Sequence, residues 1–144
     1  MIEIERKFLV ISNEYHSEKV FHIRQGYICS EKNKVVRVRI RDNRAFLTLK
    51  NAMIGFARNE YEYEIPVKDA EEMLENMCRK PIIDKHRYLY EYSGHTWEID
   101  EFHGKNEGLV IAEIELEDIN EEFEKPKFIG EEVTGKPHYY NANL

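Results

Sequence analysis

The chain has 144 residues, of which 34% are charged, with a net charge of −7 and two cysteines. That length suits one compact domain, which at ~150 residues buries roughly 68–70% of its surface and needs no disulfides. The acidic balance argues against duplex nucleic acid as a partner, because affinity there comes mainly from neutralising phosphates. No stretch approaches the roughly 20 apolar residues of a membrane span. Cys29 and Cys78 form no spaced framework and read as inert free thiols in a reducing compartment. The opening stretch, MIEIERKFLV, holds Glu3 and Glu5 and no apolar run, so it does not read as a signal peptide. The expectation is a single domain over residues 1–144, in the cytoplasm.

In chain order, strand-like segments cover residues 2–11, 20–30, 34–41, 44–51, 57–67, 82–92, 95–102 and 109–117. Asp42-Asn43 and Ser93-Gly94 join neighbouring segments as tight hairpin turns, which makes those neighbours antiparallel. Residues 69–78 read as a helix, with Asp69 as N-cap and an apolar stripe of Ala70, Met73, Leu74 and Met77. Pro81 ends it. A second, shorter helix is expected over residues 119–124, before Pro126. No linker, low-complexity stretch or internal repeat stands out. Eight strands against two helices predict a mainly β (α+β) chain, folded as an antiparallel barrel or strongly curled sheet with helices outside.

Side chains alternate along a strand, so each segment has two faces. Glu3, Glu5 and Lys7 share one face of the first strand, and Arg37, Arg39 and Arg41 share one face of the third. Glu60, Glu62 and Glu64 fall together, as do Glu98 and Asp100, and Glu113, Glu115 and Glu117. Thr48 lies with Lys50, and Lys85 with Arg87. A solvated sheet face is the ordinary explanation for any one strand. Runs of a single sign are harder to explain that way, because like charges side by side repel. Strands of opposite sign facing one another, with a charged ligand between them, would relieve the repulsion. Arginine forks and lysine ammoniums hold phosphate oxygens. Clustered carboxylates are hard ligands for Mg2+ or Mn2+, which bridge protein carboxylates and substrate phosphates. No GxxxxGK[ST] loop is present, so phosphate would have to be held by side chains.

The Glu3-x-Glu5-x-Lys7 start resembles the signature of the CYTH superfamily, the triphosphate tunnel metalloenzymes. Gln25-Gly26-Tyr27-Ile28, Arg37-x-Arg39, Thr48-Leu49-Lys50, Glu60-x-Glu62, Lys85-x-Arg87, Glu98-Ile99-Asp100 and Glu113-Ile114-Glu115 follow in that family's order. Glu132-Val133-Thr134 and Tyr139-Tyr140-Asn141 close the series, so the resemblance covers essentially the whole chain. It implies an eight-stranded antiparallel β-barrel enclosing a hydrophilic tunnel, with a few peripheral helices. It also implies metal-dependent hydrolysis or cyclisation of triphosphates. By resemblance, Arg37, Arg39, Lys50, Lys85 and Arg87 would hold the phosphate chain. Glu3, Glu5, Glu113 and Glu115 would hold a first Mg2+ or Mn2+ ion, and Asp100 would help place a second. Glu60 and Glu62 would be tunnel carboxylates in metal or water positioning. Lys7 would orient the attacking water or take its proton, held by Tyr27, or else serve as one more phosphate contact beside an ordinary barrel aromatic.

Other residues read more plainly. The six histidines form no HExxH pair, and His86 points away from the face that carries Lys85 and Arg87. His138 fits a tunnel mouth or the surface, Arg41 and Arg58 extend the basic lining or end a strand, and Glu64 and Glu117 fall towards a rim. Lys136 lies in a flexible-looking tail. The short chain leaves little room for an organic moiety, which favours inorganic tripolyphosphate, cleaved to pyrophosphate and phosphate. Class IV type adenylate cyclase, thiamine triphosphatase and a non-catalytic polyphosphate or nucleotide binder are the alternatives. An outward apolar barrel face makes a homodimer a plausible assembly.

Overall fold

The alternation of apolar and charged residues produces nine strands in the computed structural model, which describes residues 2–52, 54–55 and 57–144. They are β1 Ile2–Val10, β2 Val20–Glu31, β3 Lys34–Arg41, β4 Arg44–Asn51, β5 Ala57–Ile65, β6 Ile83–Tyr92, β7 His95–Phe102, β8 Val110–Glu115 and β9 Ile129–Glu132. Each pairs antiparallel with its neighbours in the order β5-β4-β3-β2-β6-β7-β8-β1, and β5 returns to β1. The first eight strands therefore close into a barrel with no free edge between them. β1 carries the closure: it pairs with β8 through Glu5–Leu9 and with β5 through Ile2–Ile4. The remaining part of its second edge, at Phe8 and Val10, pairs with β9. Sequence periodicity did not predict this ninth strand, which lies within the chain that follows the expected barrel.

The hairpin turns form where expected. Ser93 and Gly94 both take positive φ, at 48° and 82°, as a two-residue turn between twisted strands requires. Gly26 is needed for a different reason. A Cβ there would sit 2.8 Å from the Cys78 side chain, so only glycine lets the turn after the helix approach β2 beside Tyr27.

Apolar side chains point outward and are covered from outside. Phe8, Trp97, Ile99, Ala112 and Ile114 form one buried cluster on β1, β7 and β8, with Leu116 just past β8 and Tyr15 and Phe128 from the loops. Phe8 meets the Trp97 ring edge-on, 5.6 Å between centroids. Fully burying side chains of this size contributes roughly 1.5–3 kcal/mol each. On the other side, α1 (Val67–Asn76) lays Ala70 and Leu74 against Val38, Ile40 and Ala45. The helix starts earlier than expected, with Pro66 rather than Asp69 at its N-cap, and Met77 lies beyond its end and exposed.

The second predicted helix does not form. Residues 119–126 are turn and irregular chain. Six residues are too few to offset helix nucleation without strong packing. Their polar groups find local partners instead: Asn120 N–H donates to the Asp118 carboxylate, and Glu117 N–H donates to the Glu121 carboxylate. Both cysteines are free thiols, with Cys78 buried. Among the described residues, no helix is long and apolar enough to cross a membrane.

Candidate active site

Directly paired residues share a face of a sheet, so the register itself gathers the charged side chains inside the barrel. Glu5 stands opposite Glu115, and Lys7 opposite Glu113. Glu3 stands opposite Arg58, Lys50 opposite Glu60, and Thr48 opposite Arg37 and Glu62. Arg39 is flanked by Gln25, and Arg87 by Asp100.

The carboxylate side is built by β1, β5 and β8. Lys50 Nζ donates to both Glu3 oxygens at 3.0 and 3.2 Å, and Arg58 Nε reaches Glu3 at 3.5 Å. Burial opposes the Glu3 charge, but a hydrogen bond with Glu60 and the nearby Lys50 ammonium outweigh it and bring its pKa to about 2. Glu60 takes the opposite course: burial, then the bond shared with Glu3, pushes it up to about 7. Glu113 is also held at about 2, with burial overcome by Lys7, 3.7 Å away, and by Arg87. Lys50 supports Glu5 too, but its surroundings outweigh it. Burial, then the charges of Glu113 and Glu3, push its carboxyl well above the usual range. Glu115, at the exposed end of β8, is raised by burial and by Glu3 and Glu98.

The cationic side is built by β2, β3 and β6. Asp100 is enclosed there: its oxygens accept from Arg87 Nε at 2.7 Å, Arg87 Nη2 at 2.9 Å and Lys85 Nζ at 2.7 Å. Although burial opposes it, those two cations hold the Asp100 carboxyl far below the carboxylate range. Lys85 is fully buried, and burial brings it down to about 7 despite Asp100, with Arg87 and Arg39 adding repulsion. Arg39 makes no ion pair among the described residues. It donates through Nε to Gln25 Oε1 at 2.7 Å, and burial, then Arg37 and Arg87, lower its pKa to about 9. Arg37 touches Thr48 at 3.3 Å and lies 3.7 Å from Glu62, while its buried Nε has no hydrogen-bond partner.

The two sides are thus unequally satisfied. Around Arg39 positive charge outruns its partners, which fits a polyanion. Around Glu5 the carboxylates Glu113 and Glu3 outweigh Lys50, and hard carboxylate oxygens crowded in this way fit a divalent metal. Among the described residues no three carboxylates converge on one point as they stand. Glu3 and Glu113 are turned towards Lys50 and Lys7, and a bound metal would compete with those lysines for the same oxygens.

The residues expected to bind phosphate or metal, with Lys7, Tyr27, Glu60 and Glu62, lie on the inward face, with differences in detail. Lys7 Nζ donates to the Tyr139 carbonyl at 3.2 Å and bonds no side chain of Tyr27. The Tyr27 hydroxyl accepts from Gln25 Nε2 at 3.2 Å. Burial opposes the Lys7 charge, yet Glu113 and Glu5 together raise its pKa. Asp100, expected beside a second metal, has its oxygens occupied by Arg87 and Lys85. Arg58 joins the lining, whereas Arg41 stacks over Phe21 and Phe46 and Glu64 pairs with Arg44. Lys136 pairs with Glu131, and the tail around it is ordered into 3-10 turns at Pro137–Tyr139 and Asn141–Asn143. His86 points outward, as expected. Cross-strand register brings it against His22, rings stacked at 4.9 Å, and its Nδ1 lies 2.7 Å from His103 Nε2.

Gln25, Thr48 and Asn141 are inside contacts to which the sequence assigned no role. The period-two alternation that singles out Tyr27 and Lys50 also selects Gln25 and Thr48. Asn141 had no such signal, because it lies outside any strand.

The CYTH domain model matches residues 1–143. An inorganic triphosphatase from Acetivibrio thermocellus is 55% identical over 143 residues, covering 99% of this chain and 92% of that protein. An inorganic triphosphatase from Nitrosomonas europaea is 35% identical over 148 residues, covering 100% of this chain and 97% of that one. A crystal structure of the inorganic triphosphatase NE1496 superimposes with a TM-score of 0.70 at 33% identity, over 98% of this chain and 92% of that one. A closed charged barrel, a family match over nearly its whole length and relatives of similar size lead to one conclusion: the chain belongs to the CYTH domain family.

Proposed function

We propose that the chain is a divalent-metal-dependent triphosphatase that cleaves inorganic tripolyphosphate to pyrophosphate and phosphate inside the barrel. The observation that carries this is the two poorly matched sites inside one barrel, cationic around Arg39 and anionic around Glu5. A metal–polyphosphate complex is the ligand that answers both at once. The two full-length relatives named inorganic triphosphatase support the same substrate.

In this reading Arg37, Arg39, Lys50, Lys85 and Arg87 bind the phosphate chain. Glu3, Glu5, Glu113 and Glu115 would hold Mg2+ or Mn2+, with two ions per site as the proposed count. Bound there, such ions neutralise charge on the transferring phosphoryl group and on the oxygens that attack and leave. Asp100 orients Lys85 and Arg87 and would help place the second ion. Glu60 and Glu62 line the approach, where Glu60, near its midpoint at neutral pH, can hold or release a proton. Lys7 is the cation nearest Glu113 and contacts the phosphate end of the substrate. Tyr27, already accepting from Gln25, has its own O–H to give elsewhere in the cavity. The two free thiols fit a reducing compartment, and the cytoplasm is the proposed location. A homodimer is likewise a proposal, which light scattering decides.

The test is an assay of purified protein against tripolyphosphate, ATP and thiamine triphosphate with Mg2+ or Mn2+, resolving phosphate, pyrophosphate and cyclic AMP. Phosphate release from tripolyphosphate well above that from ATP is expected, and none in EDTA. Cyclic AMP as the main product, or binding with no turnover of any of the three, would overturn the reading.

A further inference from the structure

The 3-10 turn at Asn141–Asn143 reaches into the barrel. Asn141 Oδ1 accepts from Lys85 Nζ at 2.7 Å and from Gln25 Nε2 at 3.1 Å. Gln25 Oε1 in turn accepts from Arg39 Nε at 2.7 Å. Gln25 and Lys85 are fully buried. The direction of this chain follows from its ends. A guanidinium can only donate, so the Gln25 oxygen must face Arg39, the Gln25 nitrogen must donate to Asn141 Oδ1, and that same oxygen is the one that faces Lys85. The Gln25 amide nitrogen is then left to donate to Asn141 and to the Tyr27 hydroxyl. Turning either amide over would set donor against donor in a buried site, where an unmet polar group is costly.

We propose that Gln25 and Asn141 form an amide relay that fixes Arg39 and Lys85 relative to each other for the triphosphate. Asn141 is then a positioning residue delivered to the barrel by the C-terminal segment. Two cations that repel each other are held apart by neutral dipoles of fixed direction, without a carboxylate that would compete with phosphate. Asp100 does the comparable work on the far side of Lys85, at the cost of one negative charge in the site. The kinetic consequence rests on the triphosphatase reading; the hydrogen-bond chain does not.

The experiment combines steady-state kinetics on tripolyphosphate with 15N spectra of the arginine side chains, for Asn141→Ala, Asn141→Asp and Gln25→Glu. Loss of a hydrogen bond to a charged group corresponds to a roughly 10–100-fold effect. Asn141→Ala is therefore expected to raise KM about tenfold or more, with a smaller change in kcat, because it loosens substrate-binding groups. Asn141→Asp retains an oxygen facing both donors and should keep the Arg39 Nε–H exchange slow, although its added negative charge leaves KM raised. Gln25→Glu keeps the acceptor for Arg39 but sets oxygen against oxygen at Asn141, so KM should rise while the Arg39 Nε–H signal persists. In Asn141→Ala that signal should exchange with water several-fold faster. An unchanged KM in both Asn141→Ala and Gln25→Glu would overturn the proposal, as would Arg39 Nε–H exchange in Asn141→Asp no slower than in Asn141→Ala. If Asn141→Ala fails to fold, Gln25→Glu alone decides, and a wild-type KM there overturns it. If the unaltered protein does not turn over tripolyphosphate, the functional reading fails, and Arg39 Nε–H exchange still judges the relay: an unchanged rate in Asn141→Ala refutes it.

Discussion

Lys85 and Arg87 on β6 and Arg39 on β3 face the same cavity, yet their charges are met differently. The first two share Asp100, with contacts of 2.7–2.9 Å, and Arg39 has only an uncharged amide. The carboxylate side repeats the contrast: Glu3 and Glu113 have Lys50 and Lys7, while Glu5 has mostly other carboxylates around it. Paired charges build the cavity, and the unmatched ones mark where ligands of opposite sign belong. A buried pair broken on one side leaves an uncompensated charge, whereas removal of a poorly matched charge costs the fold less. Activity and stability should therefore part company at Arg39 and Glu5, and move together at Arg87.

The largest expected effect separates Arg39 from Arg87. Arg39→Ala should lower kcat/KM for tripolyphosphate by about 100-fold or more, as truncation of a buried charge contact costs roughly 2–5 kcal/mol. Its stability should fall only modestly, by about 1–3 kcal/mol at most, since the partner left unmet is the uncharged Gln25 oxygen. Arg87→Ala should be as inactive and also destabilised by about 3–5 kcal/mol, because Asp100 loses its main partner. Equal stability loss in the two, measured by urea unfolding, would break the comparison.

On the carboxylate side, Glu115→Gln should cut turnover about 10–100-fold by weakening metal binding, with partial recovery at high Mg2+ or Mn2+. Metal dependence like that of the unaltered protein would remove Glu115 from the ligand set.

A smaller effect concerns pH. Glu5, Glu60 and Glu115 have folded-state pKa values above the ordinary carboxyl value, Glu60 at about 7. Between roughly pH 4.5 and 7 the folded chain then binds more protons than the unfolded one, so metal-free stability falls as pH rises through that window. Glu3 and Glu113, at about 2, act only below it, where their contribution is lost as pH falls. A carboxyl that titrates one pH unit higher in the folded chain than in the unfolded one changes stability by about 1.4 kcal/mol across the window, or roughly 3–6 °C in Tm at this size. Calorimetry in EDTA should show Tm higher at pH 5 than at pH 7 by at least that amount, and Mg2+ should narrow the gap. A Tm that rises steadily from pH 5 to 7 would contradict the charge assignment.

The smallest effect is expected outside. Tyr61→Ser and Tyr63→Ser alter exposed residues on the far face of β5. They should leave kcat/KM within about twofold, since surface substitutions away from special features change little. A large loss would mean that the outer face takes part in the reaction.

Much of this was readable from alternation alone. Strands with a period of two carried both the barrel and its inward charges, and Glu3, Arg39, Lys85 and Glu113 fall inside because their neighbours Ile4, Val38, His86 and Ile114 fall outside. What escaped has no period to read. β9 is four residues, Ile129-Gly130-Glu131-Glu132, and pairs only because β1 leaves part of an edge open. Residues 119–124 have helix-forming composition but too few residues to nucleate. Asn141 reaches Lys85 across 56 positions of sequence, and His22 meets His86 through strand register, so neither contact has a local signature.

The central claim is that an unmatched carboxylate and an unmatched guanidinium await a metal and a polyphosphate. Tripolyphosphate binding measured by calorimetry in EDTA, for the unaltered protein and Glu5→Gln, tests it most directly. Without metal the Glu5 carboxyl favours its protonated form, so Glu5→Gln is predicted to leave polyphosphate binding in EDTA no weaker, while hydrolysis with Mg2+ or Mn2+ falls. Binding in EDTA that weakens together with hydrolysis would contradict the account, and would place Glu5 among the groups that hold the anion.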